Sequence, residues 1–89
     1  MENDEAGEIY RLFLGEQEVG TLRYGWEDGM LVLYHTQVDR TLGRRGLGSA
    51  LVEHVLDDAR RRGVKIEPFC LFVRSYLERH PEYADLVAG

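Results

Sequence analysis

The chain has 89 residues and a formal net charge of −5 at pH 7, which fits one small domain and disfavours binding to the phosphate backbone of nucleic acids. No stretch approaches the roughly 18 apolar residues of a membrane span, and the small, acidic N-terminus is unlike a signal peptide. Cys70 is the only cysteine, so an intramolecular disulfide and a cysteine-rich metal site are excluded, and we expect a cytoplasmic protein without a metal or a membrane partner.

The first half of the chain has the pattern of a strand meander. Residues 1–7 are acidic and small and are predicted to form a flexible tail of a single domain that covers residues 1–89. Apolar runs separated by turn residues predict antiparallel strands at 8–14, 18–24 and 30–38. The third run opens with four consecutive apolar residues, which is typical of a strand covered on both faces, so this strand is predicted to be central.

The second half of the chain alternates helix and strand. Apolar residues at steps of three and four predict an amphipathic helix over 47–62, which ends in three arginines and Gly63. A short strand at 64–66 stops before Pro68, a second helix covers 71–79, and one last helical turn covers 81–87. The fold class is therefore α+β, a compact core with a mixed, mainly antiparallel sheet of about four strands and two main helices.

The glycine-rich turn before the first helix carries the strongest functional signal. Gly46 and Gly48 lack a Cβ atom, so ligand oxygens can approach the backbone, and the free N–H groups of a helix N-terminus attract an anion. Arg44 and Arg45 can neutralise phosphate charge. The pattern lacks the features of a P-loop or a dinucleotide fold. We predict a diphosphate site at Gly43, Arg44, Arg45, Gly46, Leu47, Gly48 and Ser49, with a plain solvated turn as the alternative.

Two side chains are candidates for catalysis. Cys70 directly precedes the second predicted helix, whose positive end lowers a thiol pKa and favours the thiolate. It could accept an acyl group, line a pocket, or be a small buried apolar residue. An imidazole can take a proton near neutral pH, so His35, close to the glycine turn, is a candidate general base. The alternative is a strand histidine that hydrogen-bonds within the sheet.

Several motifs resemble the GCN5-related N-acetyltransferase family. The turn from Gly43 to Gly48 is similar to the acetyl-CoA loop of the family, Arg/Gln-x-x-Gly-x-Gly/Ala, with glycine at the first position. The stretches 34–38 and 68–70 resemble the His-Thr-x-Val and Pro-x-Cys motifs of a small single-domain subfamily, and the resemblance extends over residues 31–83.

The resemblance implies an acetyltransferase core whose mixed sheet is splayed between two strands. Pantetheine would lie in that gap and hydrogen-bond to the backbone around Gln37 and Val38. Tyr76, six residues after the cysteine, would protonate the departing CoA thiolate, although a helical tyrosine can equally be a packing residue.

These observations predict an acetyl-CoA-dependent N-acetyltransferase that acts on an unidentified amine, either a small molecule or a protein. The acetyl group would pass through Cys70 or go directly to the acceptor. The alternatives are a noncatalytic acyl-CoA-binding module and a protein-interaction module whose arginines contact an acidic partner.

Overall fold

A five-stranded sheet in chain order forms one layer of the fold. The computed structural model describes residues 1–42 and 46–88. The strands are β1 (Glu2–Asp4), β2 (Ile9–Leu14), β3 (Gln17–Glu27), β4 (Met30–Val38) and β5 (Ile66–Pro68). Neighbouring strands from β1 to β4 are antiparallel, and β5 runs parallel to β4. The sheet is therefore mixed and mainly antiparallel, as predicted.

Two helices and two short 3-10 segments complete the described chain. The helices are α1 (Leu47–Arg62) and α2 (Leu71–Arg79), with the bounds that the apolar periodicity predicts. The 3-10 segments are Arg40–Leu42 and Pro81–Leu86. No helix in the described part of the chain is both long and apolar enough to span a lipid bilayer.

The N-terminal segment differs from the prediction. Glu2–Asp4 pairs with the start of β2, so the prediction of a flexible tail is wrong for these three residues, and the sheet has one strand more than predicted. Arg11 in β2 contacts Glu2 at 3.5 Å and Asp4 at 3.2 Å, and the hydroxyl of Tyr24 donates a hydrogen bond to Asn3 at 2.7 Å. These polar contacts stabilise the pairing of β1 with β2, although β1 is acidic and has little apolar surface to bury.

The short parallel strand also differs from the prediction, by two residues. Val64 does not enter the sheet, because its N–H donates to the carbonyl of Ala59 and closes the end of α1. Gly63 adopts the left-handed conformation that this helix end requires, with φ 69°. The strand therefore starts at Ile66 and includes Pro68, which an edge strand tolerates.

The core lies between the sheet and the helices. Residues of β2, β3, β4 and β5 alternate so that one sheet face is apolar, and this face meets the apolar side of α1. The buried residues that form this contact include Tyr10, Leu22, Leu31, Leu33, Leu51, Val55, Leu56 and Ile66. β4 has a strand on either side, as its run of apolar residues predicts.

Two tyrosines tie α1 to its neighbours. The hydroxyl of Tyr10 donates to Asp58 at 2.6 Å, and the hydroxyl of Tyr83 donates to Asp57 at 2.8 Å. Burial, together with the hydrogen bond to Asp58, raises the pKa of Tyr10. The hydrogen bond to Asp57, together with burial, raises the pKa of Tyr83. Both phenols therefore hold their protons more tightly in the folded chain than in the unfolded chain.

We expect the free energy of unfolding to fall as the pH rises above the ordinary tyrosine pKa of 10.0. A group whose pKa is raised by folding stabilises the fold below its unfolded pKa and loses that contribution as the pH rises. Tyr10→Phe should lower stability by about 2 kcal/mol at neutral pH and flatten the alkaline loss. Urea unfolding at a series of pH values measures both effects. Tyr34→Phe, at a half-exposed ring, is the control, and an unchanged alkaline profile in Tyr10→Phe would contradict the assignment.

Candidate functional site

The sheet splits open beyond the middle of β4. The pairing of β4 with β5 covers only Leu31 to Leu33. The carbonyl of Leu33 accepts the N–H groups of both Phe69, at 3.0 Å, and Cys70, at 3.1 Å, where the chain turns away into α2. The rest of β4 keeps β3 on one side only, so backbone groups on its other side face a cleft and can bind a ligand.

A β-bulge marks the point where the split begins. Tyr24 of β3 pairs with Leu33, whereas Arg23 pairs with His35, so Tyr34 is one extra residue in β4. A bulge bends its strand and changes the direction of the side chains around it. The irregularity therefore lies at the residue directly after Leu33, where the pairing with β5 ends.

The ring of Tyr34 lies between two neighbouring residues at this bulge. A Cβ atom at Gly25 would lie 3.0 Å from Cε2 of Tyr34, so the missing side chain of Gly25 makes room for the ring. The ring is nearly parallel to that of Phe69, with centroids 6.3 Å apart and planes 9° apart. Tyr34 and Phe69 together form an aromatic wall beside the cleft.

The cleft consists of two adjoining cavities. The first, here the Arg40 cavity, has a volume of about 520 Å³ and is lined by His35, Thr36, Gln37, Val38, Arg40 and Phe72. The second, here the Cys70 cavity, has a volume of about 330 Å³ and is lined by Tyr34, His35, Thr36, Phe69, Cys70, Leu71 and Phe72. Three lining residues are common to both, so a single extended ligand can occupy the two cavities together.

The N-terminus of α1 has the features that an anion site needs. Gly46 precedes the helix in the left-handed conformation, with φ 69° and ψ 26°, and a Cβ atom there would meet nothing within 4 Å. Among the described residues no side chain caps this end, and the first turn of the helix carries no acidic residue. Within that part of the chain, the N–H groups at the start of α1 are therefore open to an anionic ligand. The predicted site residues Gly43, Arg44 and Arg45 lie outside the described residues.

The glycine at position 48 has a packing role that was not predicted. A Cβ atom on Gly48 would lie 2.5 Å from Cζ of Phe72. The absent side chain therefore makes room for the ring of Phe72, and the approach of ligand oxygens to the backbone of Gly48 stays a prediction. This contact brings the starts of α1 and α2 together, so the glycine helps to shape the cleft.

Cys70 is a buried residue of the cleft lining and occupies the N-cap position of α2. Its side chain is 6% exposed, and its sulfur lies 3.4 Å from Oγ1 of Thr36. Burial acts to raise the pKa of the thiol, but the hydroxyl of Thr36 and the N–H groups at the start of α2 outweigh burial, so the pKa is lowered. The sulfur makes no capping hydrogen bond of normal geometry, so the N–H groups act on it mainly as nearby dipoles.

The other predicted catalytic residues are divided between the cleft and its surroundings. His35 is exposed and lines both cavities. Tyr76 lines neither: its ring stacks on His80 at 4.0 Å, one helical turn beyond Phe72. Burial and the carboxylates of Glu53 and Glu82 raise the pKa of Tyr76. The structure thus brings His35 and Cys70 to one cleft and leaves Tyr76 outside the lining of that cleft.

Six residues that line the cleft were not predicted as site residues from the sequence: Tyr34, Thr36, Arg40, Phe69, Leu71 and Phe72. Thr36 follows the predicted base, but its contact with the cysteine joins positions 34 residues apart. Phe72 is a helical apolar residue, and nothing in the local pattern separates it from core residues. Arg40 stands just before the glycine-rich turn in the sequence, but the predicted site began at Gly43 and did not include it.

Comparison with known proteins gives a consistent family and fold. A family model described as GCN5-related N-acetyl-transferase matches residues 9–86. None of the curated proteins compared with the chain matches it. The chain is similar to the NMR structure of a protein from Staphylococcus aureus described as GCN5-like, with a TM-score of 0.74 and 24% identity over 100% of this chain and 92% of that chain.

Two further solved structures are similar over most of the chain. One is an acetyltransferase from Vibrio fischeri, with a TM-score of 0.55 and 14% identity over 70% of this chain and 59% of that chain. The other is the anti-CRISPR protein AcrVA5, with a TM-score of 0.53 and 22% identity over 85% of this chain and 81% of that chain. At these identities the structural likenesses establish the fold alone.

We expect Thr36→Val to raise the pKa of Cys70, because the substitution removes the hydroxyl that faces the sulfur. The thiolate is the reactive form of cysteine, so the pH at which iodoacetamide alkylates half-maximally should move upward. Intact-protein mass spectrometry can follow this reaction, since the chain has one cysteine. Thr36→Ser keeps the hydroxyl and should behave like the wild type. Identical pH profiles for Thr36→Val and the wild type would exclude a role for the hydroxyl.

Proposed function

Because the chain belongs to the GCN5-related N-acetyltransferase family, whose model matches residues 9–86, we propose that it transfers the acetyl group of acetyl-CoA to an amine. The observation that carries this proposal is the split between β4 and β5, which opens next to the uncapped N-terminus of α1. One cleft thus offers an anion site, an open strand side and a thiol.

The anion site fits the diphosphate of coenzyme A. The chain has a net charge of −5, so an anionic ligand needs local compensation. Uncapped N–H groups at the start of a helix supply part of it, together with the positive end of the helix dipole. Arg40 in the described cleft supplies a full charge, and Arg44 and Arg45 follow in the same turn of the sequence.

The open side of β4 fits the pantetheine arm. That arm contains two amide groups, and backbone N–H and C=O groups at Gln37 and Val38 can pair with such amides as a neighbouring strand would. Both residues line the Arg40 cavity. An arm that lies along β4 toward Cys70 would present its thioester, the activated acyl donor, in the Cys70 cavity.

The residues of the Cys70 cavity can serve either of two routes. In the first, the thiolate of Cys70 attacks the thioester carbonyl, the bond from that carbonyl to the CoA sulfur breaks, and the acetyl group then passes from Cys70 to the amine. In the second, the amine attacks the thioester directly. In both, the amine nitrogen loses one proton, which His35 can accept, and the released CoA thiolate gains one. The lowered pKa of Cys70 supports the first route.

Tyr76 as the donor of the proton to the CoA thiolate stays a prediction. Its absence from the lining of both cavities does not favour that role. Water or protonated His35 can supply the proton instead.

We expect Gly46→Glu to weaken acetyl-CoA binding by at least about tenfold, because it places a carboxylate at the diphosphate site. Gly63→Glu is the matched control, since both glycines have φ 69° with nothing within 4 Å of a Cβ atom. Both variants should lose a similar stability of about 1 kcal/mol. Isothermal titration calorimetry with acetyl-CoA measures the affinity, and urea unfolding measures the stability. Failure of the wild-type chain to bind acetyl-CoA at millimolar concentration would overturn the proposed function.

The two routes differ in a covalent intermediate. If the acetyl group passes through Cys70, incubation with acetyl-CoA should add the mass of one acetyl group to the wild-type chain, and Cys70→Ala should show neither the added mass nor turnover. Intact-protein mass spectrometry and detection of the acetylated amine measure these results. Turnover that survives in Cys70→Ala would establish direct transfer and leave Cys70 as a lining residue.

A further inference from the structure

The Cys70 cavity is bordered by apolar and aromatic side chains that reach into solvent. Leu71 is 78% exposed, Phe69 is 55% exposed and Tyr34 is 51% exposed. Phe72 is exposed to a lesser degree, and all four line the same cavity as the buried thiol. Exposed apolar side chains that form one contiguous patch typically mark a surface that binds an apolar group.

The described residues that line the two cavities carry no carboxylate, and their ionisable side chains are Arg40, Tyr34, His35 and Cys70. The thiolate of Cys70 is lost once the sulfur carries the acetyl group. A protonated alkylamine, such as a lysine side chain or a polyamine, would then enter a lining that contains Arg40 and has no carboxylate partner for it. Moving an ammonium group out of water into such a site is unfavourable.

The aromatic wall gives the cavity a flat surface. Tyr34 and Phe69 are stacked with their planes 9° apart, and the missing side chain of Gly25 leaves room for the Tyr34 ring. Flat rings pack favourably against other rings. Phe69 directly precedes Cys70 in the chain, and both residues of the wall line the same cavity as Cys70. A ring bound against the wall would therefore lie near the position of acyl transfer.

We infer that the acceptor is an aromatic amine, a planar apolar molecule whose amino group is uncharged at neutral pH. This inference rests on the proposed function. The uncharged nitrogen uses its lone pair to attack the acyl carbon, the bond from that carbon to sulfur breaks, and the nitrogen then loses one proton to His35 or water. An ammonium group would have to lose one proton before attack and another after it, so it needs more from the proton acceptor His35 than an uncharged amine does.

Two amines of matched size test this inference. Aniline and cyclohexylamine have rings of similar size, but at neutral pH aniline is uncharged and cyclohexylamine is an ammonium ion. With acetyl-CoA as donor, kcat/KM for aniline should exceed that for cyclohexylamine, spermidine and a lysine peptide by at least about tenfold. Mass spectrometry of the acetylated products measures all four. Equal or faster acetylation of spermidine or the lysine peptide would overturn the inference.

Titration with acetyl-CoA on the same protein separates the two claims. If acetyl-CoA binds and an alkylamine is the better acceptor, the inference fails and the proposed function stands. If acetyl-CoA binds and no aromatic amine is acetylated, the inference also fails. If acetyl-CoA does not bind, the proposed function itself fails.

Variants of the aromatic wall provide a second test. Phe69→Ala should raise KM for aniline by about tenfold and change the Kd for acetyl-CoA far less, because Phe69 lines only the cavity of the thioester end and not the Arg40 cavity, where the pantetheine arm would bind. Phe69→Tyr keeps the ring and should restore KM. Leu14→Ala removes an exposed apolar side chain from the end of β2, which β3 separates from β4, and Leu14 lines neither cavity, so this variant is the control. An unchanged KM in Phe69→Ala would contradict the role of the wall.

Discussion

The site depends on the end of one short ladder of hydrogen bonds. β4 has nine residues and β5 has three, and the carbonyl of Leu33 closes their ladder by accepting two N–H groups in succession. Past that carbonyl the backbone of β4 continues without a neighbour on one side. A strand with one open side inside a sheet is a ready partner for a ligand that carries amide groups, so the length difference between the two strands creates the cleft.

The charged residues are also distributed unevenly between the cleft and the rest of the chain. Several of the acidic residues lie away from the cleft, where Asp57 and Asp58 bind tyrosine hydroxyls and Asp85 pairs with Arg60 at 3.0 Å. The described residues lining the cleft carry basic or neutral side chains. An acidic protein can thus bind an anionic cofactor, because the relevant field is that of the cleft and the helix N-terminus and not that of the whole chain.

Much of the fold could be predicted from local pattern. The periodicity of α1 and the glycine at its end set both helix boundaries, and the apolar run at 30–33 indicated a strand with neighbours on both sides. β1 could not be predicted, because residues of later strands stabilise this acidic segment. Arg11 of β2 pairs with Asp4, and Tyr24 of β3 hydrogen-bonds to Asn3. The motifs likewise indicated His35 and Cys70, but long-range contacts decide that Thr36 faces the sulfur and that the Phe72 ring occupies the space beside Gly48.

Amide chemical shifts in a ¹H–¹⁵N spectrum of the chain, recorded as CoA is added, test the central claim most directly. The account predicts that the amides of Gln37, Val38 and the first turn of α1 shift together with one affinity, while those of β1 and β2 stay unchanged. Shifts confined to other surfaces, such as the cavity formed by Arg60, Lys65 and Leu86, would contradict it.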